Sequence, residues 1–186
     1  AWGLGLGIII DGNLYYGKSG FSGEFGHFCM FENEVLCHCG KKGCLETEAS
    51  GSAFHRILIE RYREGSNTIL AGKLDSGEEI SLGDLLEAVR KEDVLCIDIL
   101  EKMGVNLGKG IAGLMNIFNP ELVILGGTLS LAGEYISLPI KSAIRKYSLN
   151  LVNQDTEIKI SKLGERAGAF GACLLSRSKL LGMIHY

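Results

Sequence analysis

An α/β domain with a mixed sheet is the fold class this sequence predicts, and three observations lead to it. The chain opens with two short apolar runs on either side of Asp11-Gly12, a dipeptide suited to a tight turn with positive φ. Stripes of apolar residues three and four apart then alternate with short strand-like runs such as Leu122 to Leu125 and Glu157 to Ser161. The 186 residues, 46% of them hydrophobic, supply one core of ordinary domain size, and they contain no internal repeat or low-complexity tract.

Residues 1 to 16 read as the hairpin, with Ile8-Ile9-Ile10 entering the turn and Leu14-Tyr15-Tyr16 leaving it. From Gly17 to Cys44 periodicity is lost and Gly, Ser, His and Cys take over. This stretch reads as a long loop organised by something other than a core face, which makes 17–46 the place to look for a site. Ser50 caps a helix whose apolar positions Ala53, Phe54, Ile57, Leu58 and Tyr62 keep to one stripe, ending at Arg63-Glu64-Gly65. Residues 66 to 80 show no clear period and read as a linker. Ser81, followed three residues later by Asp84, has the form of a capping box opening Leu82 to Arg90. Asp93 caps a long segment to Phe118 that Asn119-Pro120 closes, and its Gly104, Gly108, Gly110 and Gly113 suggest close helix packing. Leu122 to Leu125 reads as a buried strand feeding the Gly126-Gly127 turn. Pro139 to Tyr147 then reads as a helix, Glu157 to Ser161 as a strand and Ala167 to Leu181 as a final helix.

Composition narrows the function. Nineteen Lys and Arg against 22 Asp and Glu leave a net charge of −3, which argues against a nucleic-acid surface on this chain. The longest apolar runs fall far short of the roughly 20 residues that span a bilayer, so no membrane segment is expected. No basic stretch followed by an apolar one marks a secretory leader. The chain begins at Ala1 directly in strand-like, glycine-punctuated text, and a fragment of a longer protein is expected.

Three of the six cysteines crowd into Cys37, Cys39 and Cys44, which suits a metal better than disulfides. With His27 they give the pattern H-x9-C-x-C-x4-C, three thiolates and one imidazole, a full tetrahedral zinc shell with no open position for water. Gly40 and Gly43 let the backbone fold tightly enough for the sulfurs to converge. The alternative is a set of free thiols in a surface loop. His38 competes for the fourth position, but it lies between two ligands already turned to the metal, which favours His27. Cys29, Cys96 and Cys173 read as small buried hydrophobes. A metal at the cysteines would bring Glu24, His27 and Glu46 near a common point. Carboxylates accept hydrogen bonds from vicinal hydroxyls, and a metal-bound imidazole has its remaining N–H fixed in direction, so these three residues are the candidate sugar contacts. The alternative is that Glu24 and Glu46 are solvated loop charges and His27 is a ligand alone. Gly3 and Gly5, and again Gly126 and Gly127, form glycine turns whose amides could meet a phosphate, although such turns also occur without ligand.

Taken together these segments resemble the ROK family, which groups bacterial sugar kinases with sugar-responsive transcriptional repressors. The matching text is Gly-x-Gly-x-Gly-Ile-Ile-Ile-Asp-Gly at 3 to 12, Gly-Glu-Phe-Gly-His at 23 to 27, Cys-His-Cys-Gly-Lys-Lys-Gly-Cys-Leu-Glu at 37 to 46 and Ala-Ser-Gly at 49 to 51. It continues with Asn-Pro-Glu-Leu-Val-Ile-Leu-Gly-Gly at 119 to 127 and Ala-Gly-Ala-Phe-Gly-Ala at 167 to 172. The resemblance implies an actin-like ATPase, ribonuclease-H-like architecture of two lobes with the sugar in the cleft, residues 1–186 being the C-terminal lobe. It implies that Glu24, His27 and Glu46 contact sugar hydroxyls while His27, Cys37, Cys39 and Cys44 hold structural zinc. It also implies a cytoplasmic protein that acts as a homodimer or higher homo-oligomer on a sugar or amino sugar in carbohydrate metabolism. Two departures separate this chain from the family's kinases. Their catalytic aspartate, in an Asn-Asp motif of the N-terminal lobe, and their early phosphate motif would both precede Ala1. The Thr that their Gly-Thr-Gly turn offers to phosphate is Trp2 here, and Thr128 replaces a third glycine after the Leu122 strand. The expectation is therefore a repressor's sugar-sensing lobe, its DNA contacts made by an N-terminal domain outside this chain. The C-terminal half of an ATP- and Mg-dependent sugar kinase is the alternative, and a zinc-stabilised interaction domain with a vestigial sugar site is a third reading.

Overall fold

The structure, a computed structural model, describes residues 3–182, so Trp2 lies outside the described residues. Strands β1 (Ile9–Ile10) and β2 (Asn13–Leu14) pair antiparallel, Ile9 opposite Leu14. The turn between them places Asp11 at φ 51° and Gly12 at φ 76°, the doubly left-handed geometry that matches strand twist. An irregular segment follows, interrupted by a 3-10 turn at Phe25–His27. Helices α1 (Glu46–Ala49) and α2 (Gly51–Arg63) meet at Ser50, whose hydroxyl accepts from the Ala53 amide as the α2 cap.

The supposed linker holds a short helix, α3 (Ala71–Ser76), closed by Gly77 at φ 72°. A six-residue helix is too short for apolar periodicity to show, and Gly77 was its one available signal. The capping box is complete at α4 (Leu82–Arg90). Helix α5 (Val94–Phe118) runs 25 residues through all four of its glycines and ends at Asn119, φ 43°. Strand β3 (Leu122–Leu125) leads through a 3-10 turn to α6 (Glu134–Tyr147), α7 (Asn150–Asp155), β4 (Glu157–Ile160), a further 3-10 turn at Gly164–Arg166 and α8 (Ala167–Leu180). Helix α6 begins five residues before the expected Pro139, because Gly133 at φ 62° turns the chain into it.

Strand β4 pairs parallel with β3, Leu122 opposite Glu157, and α6 forms part of the crossover. Both pairings of a mixed sheet are thus present, as two separate two-stranded units among the described residues. Helices α5 and α6 pack side by side where α5 has no side chain. A Cβ on Gly104 would stand 2.9 Å from Pro139 Cβ, and one on Gly108 would stand 2.5 Å from the Ile140 carbonyl oxygen. Around this pair Phe54, Leu58, Leu85, Val89, Leu100, Met103, Met115 and Ile144 form the buried core.

Two expectations about burial fail. Strand β3 alternates rather than being covered throughout: Leu125 is buried while Ile124 is 61% exposed, so one face of the pair is packed and the other open. Cys96 is buried as expected, but Cys29 and Cys173 are exposed, because the loop and helix that carry them lie at the surface. Helix α8 buries none of its residues. No helix among the described residues is long and apolar enough to cross a membrane.

Two buried or half-buried carboxylates pin the helical half. The Lys73 ammonium at 2.7 Å, then the Ser81 hydroxyl and amide, hold the Asp84 carboxyl down at about 2. Burial works against ionised Asp93, but the Cys96 and Ile69 amides and the Thr68 hydroxyl outweigh it and keep that carboxyl below its ordinary value. A depressed pKa contributes stability above the unfolded value and loses it as pH falls, so for Asp84 the loss runs from 3.8 toward about 2. In Asp84→Asn the thermal midpoint should vary less with pH across that window. A fall as steep as the wild type's would show that the carboxylate is not its source.

Candidate metal and ligand site

Three local devices assemble the site. Residues 28–31 run beside 43–45, with Met30 N–H donating to Gly43 O at 2.8 Å and Leu45 N–H to Phe28 O at 2.9 Å, which sets Cys29 directly opposite Cys44. Gly43 makes this pairing possible: its φ is 77°, and a Cβ there would lie 2.1 Å from the Phe31 carbonyl oxygen. The Cys37 amide donates to Lys41 O and the Gly40 amide to Cys37 O, closing a tight knuckle around Cys39. The 3-10 turn then delivers His27 to the same spot, with Phe25 at its start buried and its carbonyl accepting the Phe28 amide. Phe25 and Leu45 press on α5 at Gly110, where a Cβ would stand 2.7 Å from the Phe25 ring and 3.0 Å from Leu45. The loop is therefore partly organised by a core face after all, and Gly110, read from sequence as a helix-packing residue, is what lets it settle.

The ligand atoms of His27, Cys37, Cys39 and Cys44 all lie within 4.8 Å of one another. His27 Nδ1 is 3.5 Å from Cys37 Sγ, and the Cys39 and Cys44 sulfurs are 3.6 Å apart. Metal–sulfur bonds of about 2.3 Å at tetrahedral angles put sulfurs about 3.8 Å apart, so this donor set fits one metal ion. His38 is exposed and stands outside the cluster. Electrostatics point the same way. Burial, together with Cys39 and Cys37, pushes the Cys44 thiol up to about 12, while the Lys41 amide draws the Cys39 thiol below its ordinary value. A cation among the sulfurs is what would let all three be thiolates at once.

The three candidate ligand contacts flank this cluster. With Nδ1 facing the sulfurs, His27 turns Nε2 outward to 3.7 Å from Glu24 Oε2, too long for a hydrogen bond. Glu24 is exposed. Glu46, the first residue of α1, holds Oε1 4.0 Å from Cys37 Sγ and accepts the Leu4 amide on Oε2 at 2.8 Å. Gly3 and Gly5 thus flank a residue committed to Glu46, which sequence spacing could not reveal. Gly126 and Gly127 lie elsewhere, at the end of β3, with Gly127 at φ 83° leading into the 3-10 turn.

Comparison with known proteins converges on one family. The sequence model of the ROK family matches residues 1–179. A glucokinase from Halalkalibacterium halodurans is 36% identical over 170 residues, covering 91% of this chain and 52% of that protein. Among solved structures, a ROK family transcriptional regulator described as a homolog of the E. coli MLC protein is 37% identical, with a TM-score of 0.77 over 85% of this chain and 39% of its own. A ROK family glucokinase from Streptomyces griseus, solved with glucose and AMPPNP, is 32% identical, with a TM-score of 0.81 over 95% of this chain and 58% of its own. The chain spans about half the length of the curated relatives it matches, which include both sugar kinases and repressors.

Proposed function

Since the chain belongs to the ROK family and has its actin-like α/β fold, we propose that it is the sugar-sensing C-terminal lobe of a transcriptional repressor, built around one structural zinc ion. Three thiolates and an imidazole are the donors zinc favours, and a shell filled by protein leaves no coordination position for a reactant. The zinc holds the loop, and His27, Glu24 and Glu46 meet the sugar. The two carboxylates accept hydroxyl hydrogens, and His27 donates its outward Nε2–H.

The observation that carries repressor over kinase is Trp2, an indole in the position where the family's kinases offer a Thr hydroxyl to phosphate. A kinase is the second reading, favoured by the fold agreement with the Streptomyces griseus glucokinase. In the repressor reading the other half of the protein supplies the facing wall of the sugar cleft and the DNA contacts. Sugar then biases the arrangement of the lobes, and in a dimer that changes the spacing of two DNA-binding heads.

The test uses the whole protein. ATP-dependent formation of sugar phosphate at ordinary turnover would overturn the repressor reading. Calorimetric titration with glucose, xylose and N-acetylglucosamine should show binding that Glu46→Gln weakens by about tenfold to a hundredfold, as expected for a charged contact worth about 1.5 to 3 kcal/mol. The isolated lobe, lacking one wall, should bind more weakly than the whole protein. Unchanged affinity in Glu46→Gln would put the site elsewhere.

A further inference from the structure

The Leu4 amide reaches Glu46 Oε2 across 42 residues of sequence, and the space around that bond is kept clear on both sides. A Cβ on Gly3 would lie 2.8 Å from the same carboxylate oxygen. One on Gly26, between Phe25 and His27, would lie 2.5 Å from the Leu4 carbonyl oxygen and 3.3 Å from Glu46 Cβ. Neither glycine is required by a positive φ, so both serve close approach. The Gly3–Leu4–Gly5 segment, which bends at Gly3 and forms no turn over residues 4–8, is also tied down beyond Leu4. The Leu6 amide donates to Gly23 O at 3.1 Å, and Leu4 and Leu6 pack their side chains against the core.

A Glu side chain ends in a broad, nearly free torsion, and a carboxylate must choose a direction before it can meet a hydroxyl in good geometry. Here a backbone amide makes that choice. With Oε2 fixed on Leu4, Oε1 is left facing the Cys37 side of the site. We infer that the Gly3–Leu4–Gly5 segment belongs to the sugar site as its positioning element, acting through Glu46. This rests on the reading of Glu46 as a sugar contact. The coupling is reciprocal: a segment that orients Glu46 for the sugar is itself held more firmly when the sugar engages Glu46. The segment is then a built-in reporter of occupancy at the start of the described chain, separate from any role toward phosphate.

A double-mutant cycle on the whole protein tests this, with glucose, xylose and N-acetylglucosamine as probes and metal content and thermal midpoint measured for each variant. Gly3→Ala, which pushes on Oε2 without touching a metal ligand, should raise Kd at least tenfold in the wild-type background and leave it unchanged in Glu46→Ala. A merely structural role for Gly3 would give the same loss in both backgrounds and would overturn the inference. Should Gly3→Ala fold poorly, amide hydrogen exchange at Leu4 decides instead. Without sugar, exchange should quicken at least tenfold in Glu46→Ala, and in the wild type it should slow when sugar binds. Exchange at Leu4 indifferent to both changes would overturn the inference while leaving Glu46 a sugar contact. If none of the three sugars binds the wild type, the site reading falls and this inference with it.

Discussion

Cys44→Ser is expected to reduce bound metal from about one ion per chain to a small fraction of that, and to turn the segment between His27 and Glu46 into a protease-sensitive loop. Cys44 is fully buried, and besides the proposed metal this stretch is ordered by the short pairing of residues 28–31 with 43–45 and by Leu45 packed on α5. Structural zinc sites in small peptides contribute about 10 to 16 kcal/mol of apparent folding free energy. Most of the core is built by the helices, with Phe25 and Leu45 reaching it from the site, so the loss should concentrate in the loop, with a lower but still cooperative thermal transition. Elemental analysis and limited proteolysis read the two effects. Metal retained at full stoichiometry would mean that Cys29, directly across from Cys44, had entered the shell. The companion variant His27→Ala asks about the fourth donor. Undiminished metal there would move that role to His38 or to water.

The second large effect is expected at two glycines on α5, and the pair separates stability from site geometry. Gly108→Ala gains up to about 1 kcal/mol of helix propensity, but it sets a methyl 2.5 Å from the Ile140 carbonyl oxygen. Backbone cannot step aside as a side chain can, so the helices must separate, and the clash wins by an expected 1 to 3 kcal/mol on the order of other overpacked cores. Gly110→Ala presses instead on Phe25 and Leu45, which neighbour His27, Cys44 and Glu46 in sequence and are themselves buried. Both variants should lower the thermal midpoint, and only Gly110→Ala should also weaken metal retention against a chelator. Equal retention in the two would show that the loop does not feel α5.

Much of this could be read in advance wherever the signal was local. The Ser81–Asp84 box, the Asp93 cap and the Asn119-Pro120 stop are each decided within a few residues, and the helices they bound stand where expected. The donor set was legible for the same reason, since three cysteines within eight positions have few other uses. What escaped depends on partners far away in sequence. The exposure of Ile124 is set by what packs on the open face of β3 and not by the apolar run itself. The engagement of Glu46 by the Leu4 amide and the pressure of Phe25 on Gly110 join residues 42 and 85 positions apart. Short helices such as α3 and α7 failed for a different reason, because six residues hold less than two turns of periodicity.

Helix α8 has a practical consequence for handling the protein in solution. Phe170, Leu174, Leu175 and Leu180 are all at least 41% exposed on an element that buries nothing among the described residues. A net charge of −3 offers weak colloidal repulsion against apolar surface of that kind. Attraction between molecules should therefore be strongest near the isoelectric point of about 5.8, where repulsion vanishes. A preparation of this chain alone is best kept well above that pH and at modest ionic strength, because salt removes the little repulsion it has.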